Sequence, residues 1–402
     1  MPSNKFISKT SSRIKESPTL AVTAKANYLK SQGIDIVGLA AGEPDFDTPN
    51  FIKDAAKKAI DEGKTKYTAV GGIPSLKKAI VNKFKRDNDL SYTEKEIVVG
   101  VGGKQCIFNL CLAVLNSDDE VIIPSPYWVS YEDIALVADA KPIIIQTSFQ
   151  DKFKITVTQL EQSITNKTKL IFLNSPSNPT GSVYSKSELE AIANVLLKHP
   201  NILVASDDIY EHINLNGNPF YNILMVEPKL KDRCVILNGV SKAYSMTGWR
   251  IGYAAGPEEI ILAMTNLQSQ STSNPCSISQ AAAEAALNGD QDCIKVMTAE
   301  FKKRHDFILT ELNKINGLKC VSADGAFYVF PYAYDAIQKL FQQKLIKEPT
   351  DIALCEYFIE KANVAVVPGS AFGAPNYFRI SFATSLENLK KAVDRIKFAL
   401  SK

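Results

Sequence analysis

The sequence predicts an α/β fold in which a large domain with a mostly parallel sheet accompanies a smaller α+β domain. Strand-like and helix-like segments alternate from about residue 49 to 288, the pattern of a parallel sheet with crossover helices. Several strand segments, such as 202–205, are short continuous apolar runs, as in strands buried on both faces. From about residue 289 a long helical stretch leads to strand-like segments at 326–330 and 364–367, so a second domain is expected there.

Composition excludes several classes of protein. At 402 residues and 45% hydrophobic content, the chain is long enough to bury two cores. Its net charge of +3 gives no nucleic-acid footprint, and no apolar run is long enough to predict a membrane span. Seven cysteines without CxxC pairs, and only three histidines, argue against a metal site and favour the cytoplasm. The basic segment up to Lys15 is too short and too poor in arginine for a transit peptide.

The first motif is a glycine turn after a strand. Strand segment 96–99 is followed by Gly100, Gly102, Gly103 and Lys104, and a helical pattern covers 106–115. A strand, a glycine turn and a helix start form a phosphate cradle, because backbone N–H groups and the helix dipole point at the anion. The run matches neither the dinucleotide fingerprint nor a P-loop, so alone it is a weak signal.

The next two strand segments end in residues suited to a flat ring. Segment 119–123 leads to Trp128, whose indole can stack on a heteroaromatic ring, although a core position is the common role of tryptophan. Segment 169–173 leads to a turn at 174–181, where Asn178 is either a turn residue or an amide donor to a ligand.

Strand segment 202–205 is followed by Asp207, Asp208 and Tyr210. Ligands of open α/β sheets gather at the carboxyl ends of strands, which is where Asp207 falls. The alternative for such an aspartate is a helix N-cap, and Asp208 is the more natural candidate for that role.

Segment 234–237 precedes the most informative run, 241–253, which contains Ser241, Lys242 and Arg250. A lysine held near other cations loses proton affinity, and its neutral amine forms a Schiff base with a carbonyl. Arginine offers a planar donor fork for phosphate. The combination indicates pyridoxal phosphate, whose ring nitrogen needs a carboxylate, a role that suits Asp207.

Arg379 lies within a strand pattern at 377–382, between apolar residues. Burying this charge is costly without an anionic partner. The partner is either a ligand carboxylate or a carboxylate of the protein itself.

Taken together, the motifs at 41–46, 178–181, 207–210 and 241–250 resemble those of class I, fold-type I aminotransferases, in particular the bacterial aspartate aminotransferases, several of which accept prephenate. The resemblance runs from about Arg13 to Ala383. It implies a homodimer, a seven-stranded sheet, a large domain at 48–288, and a small domain formed by 1–47 and 289–402.

The resemblance also implies roles for individual residues. Lys242 would bind the cofactor aldehyde and move the proton, Asp207 would pair with the ring nitrogen, and Arg379 would clamp the substrate α-carboxylate. The other implied contacts are with the ring oxygen (Tyr210 and Asn178), the ring face (Trp128), the phosphate (Gly103, Lys104, Ser241 and Arg250), the neighbouring subunit's phosphate (Tyr67) and the substrate (Gly42, Trp128, Asn178, Lys104 and Arg13). Lys104 would bind the distal carboxylate of a dicarboxylic substrate, or alternatively serve only the electrostatics of the phosphate. Arg13 would bind prephenate, or alternatively be a solvated residue of the amino-terminal arm.

The principal hypothesis is therefore amino transfer from aspartate or glutamate to a 2-oxo acid, with prephenate as a second acceptor. Rivals with the same fold are aromatic or alanine aminotransferases and pyridoxal-phosphate lyases. A non-catalytic regulator would need a DNA-binding module, and a match that begins near Arg13 leaves no room for one.

Overall fold

The computed structural model describes residues 6–14 and 16–401. Outside the described residues lie residues 1–5, Lys15 and Lys402. They belong to the basic amino-terminal segment and to the predicted small domain. The helices are α1 (Lys9–Arg13), α2 (Pro18–Ser31), α3 (Asn50–Asp61), α4 (Pro74–Asn88), α5 (Gly103–Val114), α6 (Ser130–Val137), α7 (Val157–Ser163), α8 (Lys186–Leu197), α9 (Ile223–Val226), α10 (Glu258–Ser269), α11 (Ser277–Asn288), α12 (Asp292–Leu312), α13 (Tyr334–Gln342), α14 (Asp351–Tyr357) and α15 (Leu386–Leu400).

The strands of the described residues form three separate sheets. They are β1 (Val37–Gly38), β2 (Ile97–Val101), β3 (Glu120–Ser125), β4 (Lys141–Gln146), β5 (Thr168–Asn174), β6 (Leu203–Asp207), β7 (Cys234–Gly239), β8 (Ile251–Ala255), β9 (Tyr328–Val329), β10 (Val364–Ala365), β11 (Val367–Pro368) and β12 (Phe378–Ser381). The largest sheet has seven strands in the order β2-β8-β7-β6-β5-β3-β4. The predicted α/β class and its seven-stranded, mostly parallel sheet are confirmed.

Strand direction in this sheet decides where the loops meet. β3, β4, β5, β6 and β7 are parallel, while β8 runs antiparallel to both β7 and β2. β2 therefore points the same way as the parallel strands and ends at the same edge. β8 begins at that edge, so the loops before and after these strands converge there.

Alternating side chains bury both faces of the sheet. In β5, Ile171 and Leu173 face a core shared with helices α3, α4, α8 and α11, whereas Leu170 and Phe172 face a core shared with α5, α6 and α10. A strand covered by helices on both sides must be apolar at every position. This is why these strands read as continuous apolar runs in the sequence.

The remaining strands belong to a second region. β11, β12 and β9 form a three-stranded antiparallel sheet, and β1 pairs with β10 in parallel. A separate core around Phe301, Phe327 and Phe358 joins these strands to α12, α13 and α15. The predicted division at residues 47 and 288 stays a prediction, supported by this second core and by the pairing of β1 with the carboxyl-terminal half. In the described part of the chain, no helix has the length and apolar character needed to cross a membrane.

Candidate active site

A cavity of about 370 Å³ lies where the carboxyl edge of the large sheet meets the second region. Most of the sequence-predicted site residues border it: Gly42, Gly103, Lys104, Trp128, Asn178, Asp207, Tyr210, Ser241, Lys242, Arg250 and Arg379. The two exceptions are Arg13 and Tyr67. Residues from seven separate segments of the chain therefore converge on one site.

One end of the cavity is built from backbone and cations. Gly102 is the N-cap of α5 and has a φ of 81°, and a Cβ atom there would lie 2.3 Å from the Arg250 guanidinium. A Cβ on Gly252 of β8 would lie 2.1 Å from the backbone nitrogen of Gly103. Glycine is required at both positions, because only its small size lets β8 and Arg250 approach the start of α5. The resulting end combines a helix N-terminus with Ser241 and Arg250, an arrangement suited to an anion.

Lys242 reaches into the middle of the cavity, where its Nζ donates a hydrogen bond to the backbone carbonyl of Gly42. Burial, and then the positive charges of Arg379 and Arg250, lower the pKa of the Lys242 amine to about 8. With this pKa, about one tenth of the amine is neutral and nucleophilic at pH 7. The sequence-predicted loss of proton affinity is therefore present in the folded chain.

Asp207 lies at the end of β6 with its carboxylate inside the cavity. Tyr131 donates a hydrogen bond to this carboxylate, and the Asn174 amide donates to the Asp207 backbone carbonyl at 2.9 Å. Burial raises the pKa of Asp207 to about 6, although the Tyr131 hydrogen bond and the charge of Lys242 oppose the rise. A cation at this position would stabilise the ionised carboxylate.

Asp208 has a different role from the one predicted. No helix begins after it, so the expected N-cap role is wrong; its carboxylate instead accepts hydrogen bonds from the Ser206 hydroxyl at 2.7 Å and the Asn222 amide at 2.7 Å. It is buried and does not border the cavity. Its backbone N–H donates to the Leu237 carbonyl of β7 at 2.9 Å, so Asp208 is fixed where the chain leaves β6.

Three residues after Asp208, Glu211 forms a buried ion pair with Lys83 of α4. The amides of Asn88 and Asn238 donate to the two oxygens of Glu211 at 2.8 and 2.7 Å. Glu211 follows Tyr210 in the chain, and Asn238 precedes the Lys242 loop. One buried carboxylate therefore ties together the ends of β6 and β7.

Arg379 enters the cavity from β12 and is only 2% exposed. It donates to the Asn178 side-chain carbonyl at 2.8 Å and to the Ala40 backbone carbonyl at 2.6 Å, while its Nε has no partner. Among the described residues, no carboxylate forms an ion pair with it. A buried, unneutralised guanidinium with a free N–H group is a receptor for an incoming carboxylate.

Lys104 and Trp128 form one wall of the cavity. The Lys104 Nζ lies 5.0 Å from the centre of the Trp128 ring, a cation–π distance. Burial, and then the charge of Arg250, lower the pKa of Lys104. Trp128 is itself only partly buried, so its ring is available to a ligand.

Arg13 and Tyr67 lie away from the cavity. Arg13 ends α1 and pairs with Asp139 at 2.9 Å, with both side chains partly exposed. The Tyr67 side chain is 90% exposed. Their suggested contacts with substrate and with a second subunit stay predictions.

The cavity also includes residues that sequence reasoning missed. Tyr131 supports Asp207, and Tyr328 lies beside Arg379. Helix α2 and its N-cap add further lining residues, namely Ser17, Thr19, Leu20 and Thr23. The sequence gives no signal for any of them: the 66% exposure of Leu20 is known only from the structure, and Tyr131 and Tyr328 read as ordinary core aromatics.

A family comparison decides how this cavity is classified. The sequence model of aminotransferase class I and II matches residues 34–396. The chain belongs to this family. The family that its motifs predicted is therefore confirmed, and the match covers nearly the whole chain.

Similar members of the aminotransferase family cover almost all of the chain. An aspartate/prephenate aminotransferase from Nitrosomonas europaea is 59% identical over 96% of this chain and 98% of its own. Among solved structures, the aspartate aminotransferase of Rhizobium meliloti has a TM-score of 0.93 at 47% identity and covers 98% of both chains. The aspartate aminotransferase of Thermus thermophilus with maleate has a TM-score of 0.91 at 42% identity, over 98% of this chain and 99% of that one.

We predict that Lys242 reacts with aldehydes at unusually low pH. A pKa lowered to about 8 leaves half of the amine neutral at pH 8, compared with about 1 in 250 for an ordinary lysine. Cofactor-free protein is treated with glyceraldehyde and borohydride across a pH series, and labelling is mapped by mass spectrometry. Labelling of Lys242 should be half-maximal near pH 8. A half-maximal pH for Lys242 close to the value of about 10.4 of a free lysine would contradict the prediction.

Proposed function

We propose that this chain transfers an amino group between L-aspartate or L-glutamate and a 2-oxo acid, with pyridoxal phosphate as cofactor and prephenate as a further acceptor. One observation carries the proposal: the low-pKa amine of Lys242 and the unneutralised guanidinium of Arg379 face the same cavity. Transfer from an amino acid needs both a nucleophilic amine and a carboxylate receptor. The names of the relatives support aspartate and prephenate as substrates.

The cavity has the groups that pyridoxal phosphate needs. The glycine-lined start of α5, with Ser241 and Arg250, suits its phosphate. Asp207, whose pKa is raised by burial, suits a protonated ring nitrogen, because that cation supplies the charge that ionises the carboxylate. Trp128 presents a flat face for the ring.

When bound, pyridoxal phosphate supplies an aldehyde carbon for the amino group and an electron-withdrawing ring. Lys242 would hold the cofactor covalently and, once released, move a proton to and from the substrate α-carbon. Tyr210 and Asn178 would hold the ring oxygen. The Asn178 side chain also accepts from Arg379, so the cofactor and carboxylate sites share a contact.

Arg379 would clamp the substrate α-carboxylate through its unpartnered Nε and a neighbouring N–H group. A dicarboxylic substrate needs a second cation, and Lys104 borders the same cavity. For prephenate we propose a contact with Arg13, which would have to leave Asp139 to make it.

We further propose a cytoplasmic homodimer with shared active sites. The exposed Tyr67 and the polar segment 269–277 have no role within the cavity of their own chain. A second copy that brings Tyr67 to the phosphate end of the cavity would explain both features.

Replacing Lys242 with alanine should abolish aspartate:2-oxoglutarate transamination, because the variant lacks both the nucleophile and the proton carrier. Loss of a positioned general base alone reduces rates about 10²- to 10⁴-fold. The coupled assay for oxaloacetate measures the loss, and Lys95→Ala, at an exposed lysine, is the matched control. Turnover by Lys242→Ala close to that of the control would refute the proposed function.

Lys104→Ala and Arg13→Ala should separate the substrates. We expect Lys104→Ala to lower kcat/KM for aspartate far more than for alanine, and Arg13→Ala to reduce prephenate turnover more than oxaloacetate turnover. Asp139→Asn removes the partner of Arg13 but keeps the arginine, so it should spare prephenate. If Asp139→Asn lowers prephenate turnover as much as Arg13→Ala does, the arginine acts only by anchoring α1.

A wild-type preference for alanine or phenylalanine over aspartate would overturn the substrate assignment.

Subunit mixing tests the shared site. Tyr67→Ala and Lys242→Ala protomers are each expected to be impaired, and a hybrid dimer pairs one protomer of each kind. If Tyr67 serves the neighbouring site, one site per hybrid has both residues, and random mixing restores roughly one quarter of wild-type activity. No gain on mixing, with hybrids verified by tagged purification, would show that Tyr67 does not act across subunits.

A further inference from the structure

Tyr328 of β9 connects the carboxylate receptor with the ring-oxygen site of the proposed function. Its ring centre lies 4.5 Å from the Arg379 guanidinium carbon, and its hydroxyl lies 2.7 Å from the Tyr210 hydroxyl. All three side chains are buried and border the cavity. Tyr328 therefore contacts two groups that would bind different parts of the reacting complex.

The proton count of the two tyrosines limits what Tyr210 can do. Each hydroxyl has one proton to donate. In the described part of the chain, the Tyr210 hydroxyl makes its hydrogen bond with Tyr328. If Tyr210 donated to Tyr328, no proton would remain for a ligand in the cavity. Only when Tyr328 is the donor does the Tyr210 proton point into the cavity.

Arg379 makes Tyr328 the better donor. Burial raises the pKa of both phenols, and the positive charge of Arg379 opposes the rise in each. The Arg379 guanidinium lies directly on the ring face of Tyr328, however, whereas Tyr210 also lies near Asp207, whose charge raises the pKa of Tyr210 further. The more acidic of two hydrogen-bonded phenols is the donor. The other charged groups near the pair are Lys242, 5.8 Å from the Tyr210 ring centre, with Asp207 and Glu43.

We propose that Tyr328 is a positioning residue that donates its proton to Tyr210 and thereby directs and strengthens the donation of Tyr210 to the cofactor ring oxygen. The proposal rests on the proposed function. A donor that itself accepts a hydrogen bond is polarised and donates more strongly. Because Arg379 sets the donor strength of Tyr328, carboxylate binding at Arg379 should weaken the contact at the ring oxygen.

The test is a double-mutant cycle with Tyr328→Phe and Tyr210→Phe, each of which removes one hydroxyl and keeps the ring. Apo proteins are reconstituted with pyridoxal phosphate. Two quantities are measured: the dissociation constant of the cofactor, and the pH at which the pH-dependent change in its absorbance is half complete, called the midpoint below. A donor stabilises negative charge on the ring oxygen, so weakening it moves the midpoint to higher pH. Tyr210→Phe should raise the midpoint and weaken binding about 2- to 10-fold, and Tyr328→Phe should do both to a smaller extent.

The decisive result is the double variant. If Tyr328 acts through Tyr210, the double variant should match Tyr210→Phe alone. Additive shifts, or an unchanged midpoint in Tyr328→Phe, would overturn the proposal. Tyr357→Phe is the matched control, because it removes a buried hydroxyl bonded to the Ala399 carbonyl at 3.2 Å, far from these contacts; its midpoint should equal that of wild type.

Maleate, a dicarboxylate, gives a second test of whether carboxylate binding at Arg379 affects the contact at the cofactor ring oxygen. By neutralising Arg379, maleate should raise the midpoint of the wild-type protein more than that of Tyr328→Phe; equal shifts would overturn the coupling to Arg379. Wild-type protein that gains no cofactor absorbance at all would instead refute the proposed function. The two failures are therefore distinguishable.

Discussion

Backbone pairing in the seven-stranded sheet brings the carboxyl ends of β2, β3, β5, β6 and β7, and the start of β8, to one edge. Each strand is fixed by helices on both faces, so the residue after each strand has little freedom to move. The glycine start of α5, Asp207 and Lys242 are far apart in sequence but adjacent in space for this reason. The second region closes the cavity from the opposite side and contributes Arg379. The chemistry of the site depends on this convergence.

Much of this site could be predicted because its residues lie at the ends of strands or within four residues after them. A buried strand is recognisable from a short apolar run, and the residue after it falls at the ligand edge in every α/β sheet of this kind. Asp207, Asn178 and Lys242 were accessible in this way. Asp208 was interpreted wrongly, because the sequence does not reveal that the chain turns after β6 without forming a helix.

Tyr131 and Tyr328 were not predictable on the same grounds. Tyr328 lies within an apolar segment, where a tyrosine reads as core, and Tyr131 lies between Ser130 and Glu132 in a helical segment without a recognisable motif. Their functional contacts arise from packing between distant elements: Tyr131 reaches Asp207 across 76 positions, and Tyr328 reaches Tyr210 across 118. The suggested roles of Arg13 and Tyr67 depend on a rearranged arm and on a second subunit, neither of which a single chain determines.

The arrangement of Arg379 has a practical consequence for anyone who purifies the protein. Its guanidinium is neutralised by no carboxylate in the described part of the chain and binds only neutral carbonyls. An unneutralised buried charge lowers the stability of the empty fold, and any small carboxylate that fills the receptor recovers part of that loss. Acetate, citrate or succinate in a buffer would therefore act as a competing ligand as well as a stabiliser. Preparations in carboxylate buffers would store well and give underestimates of substrate affinity.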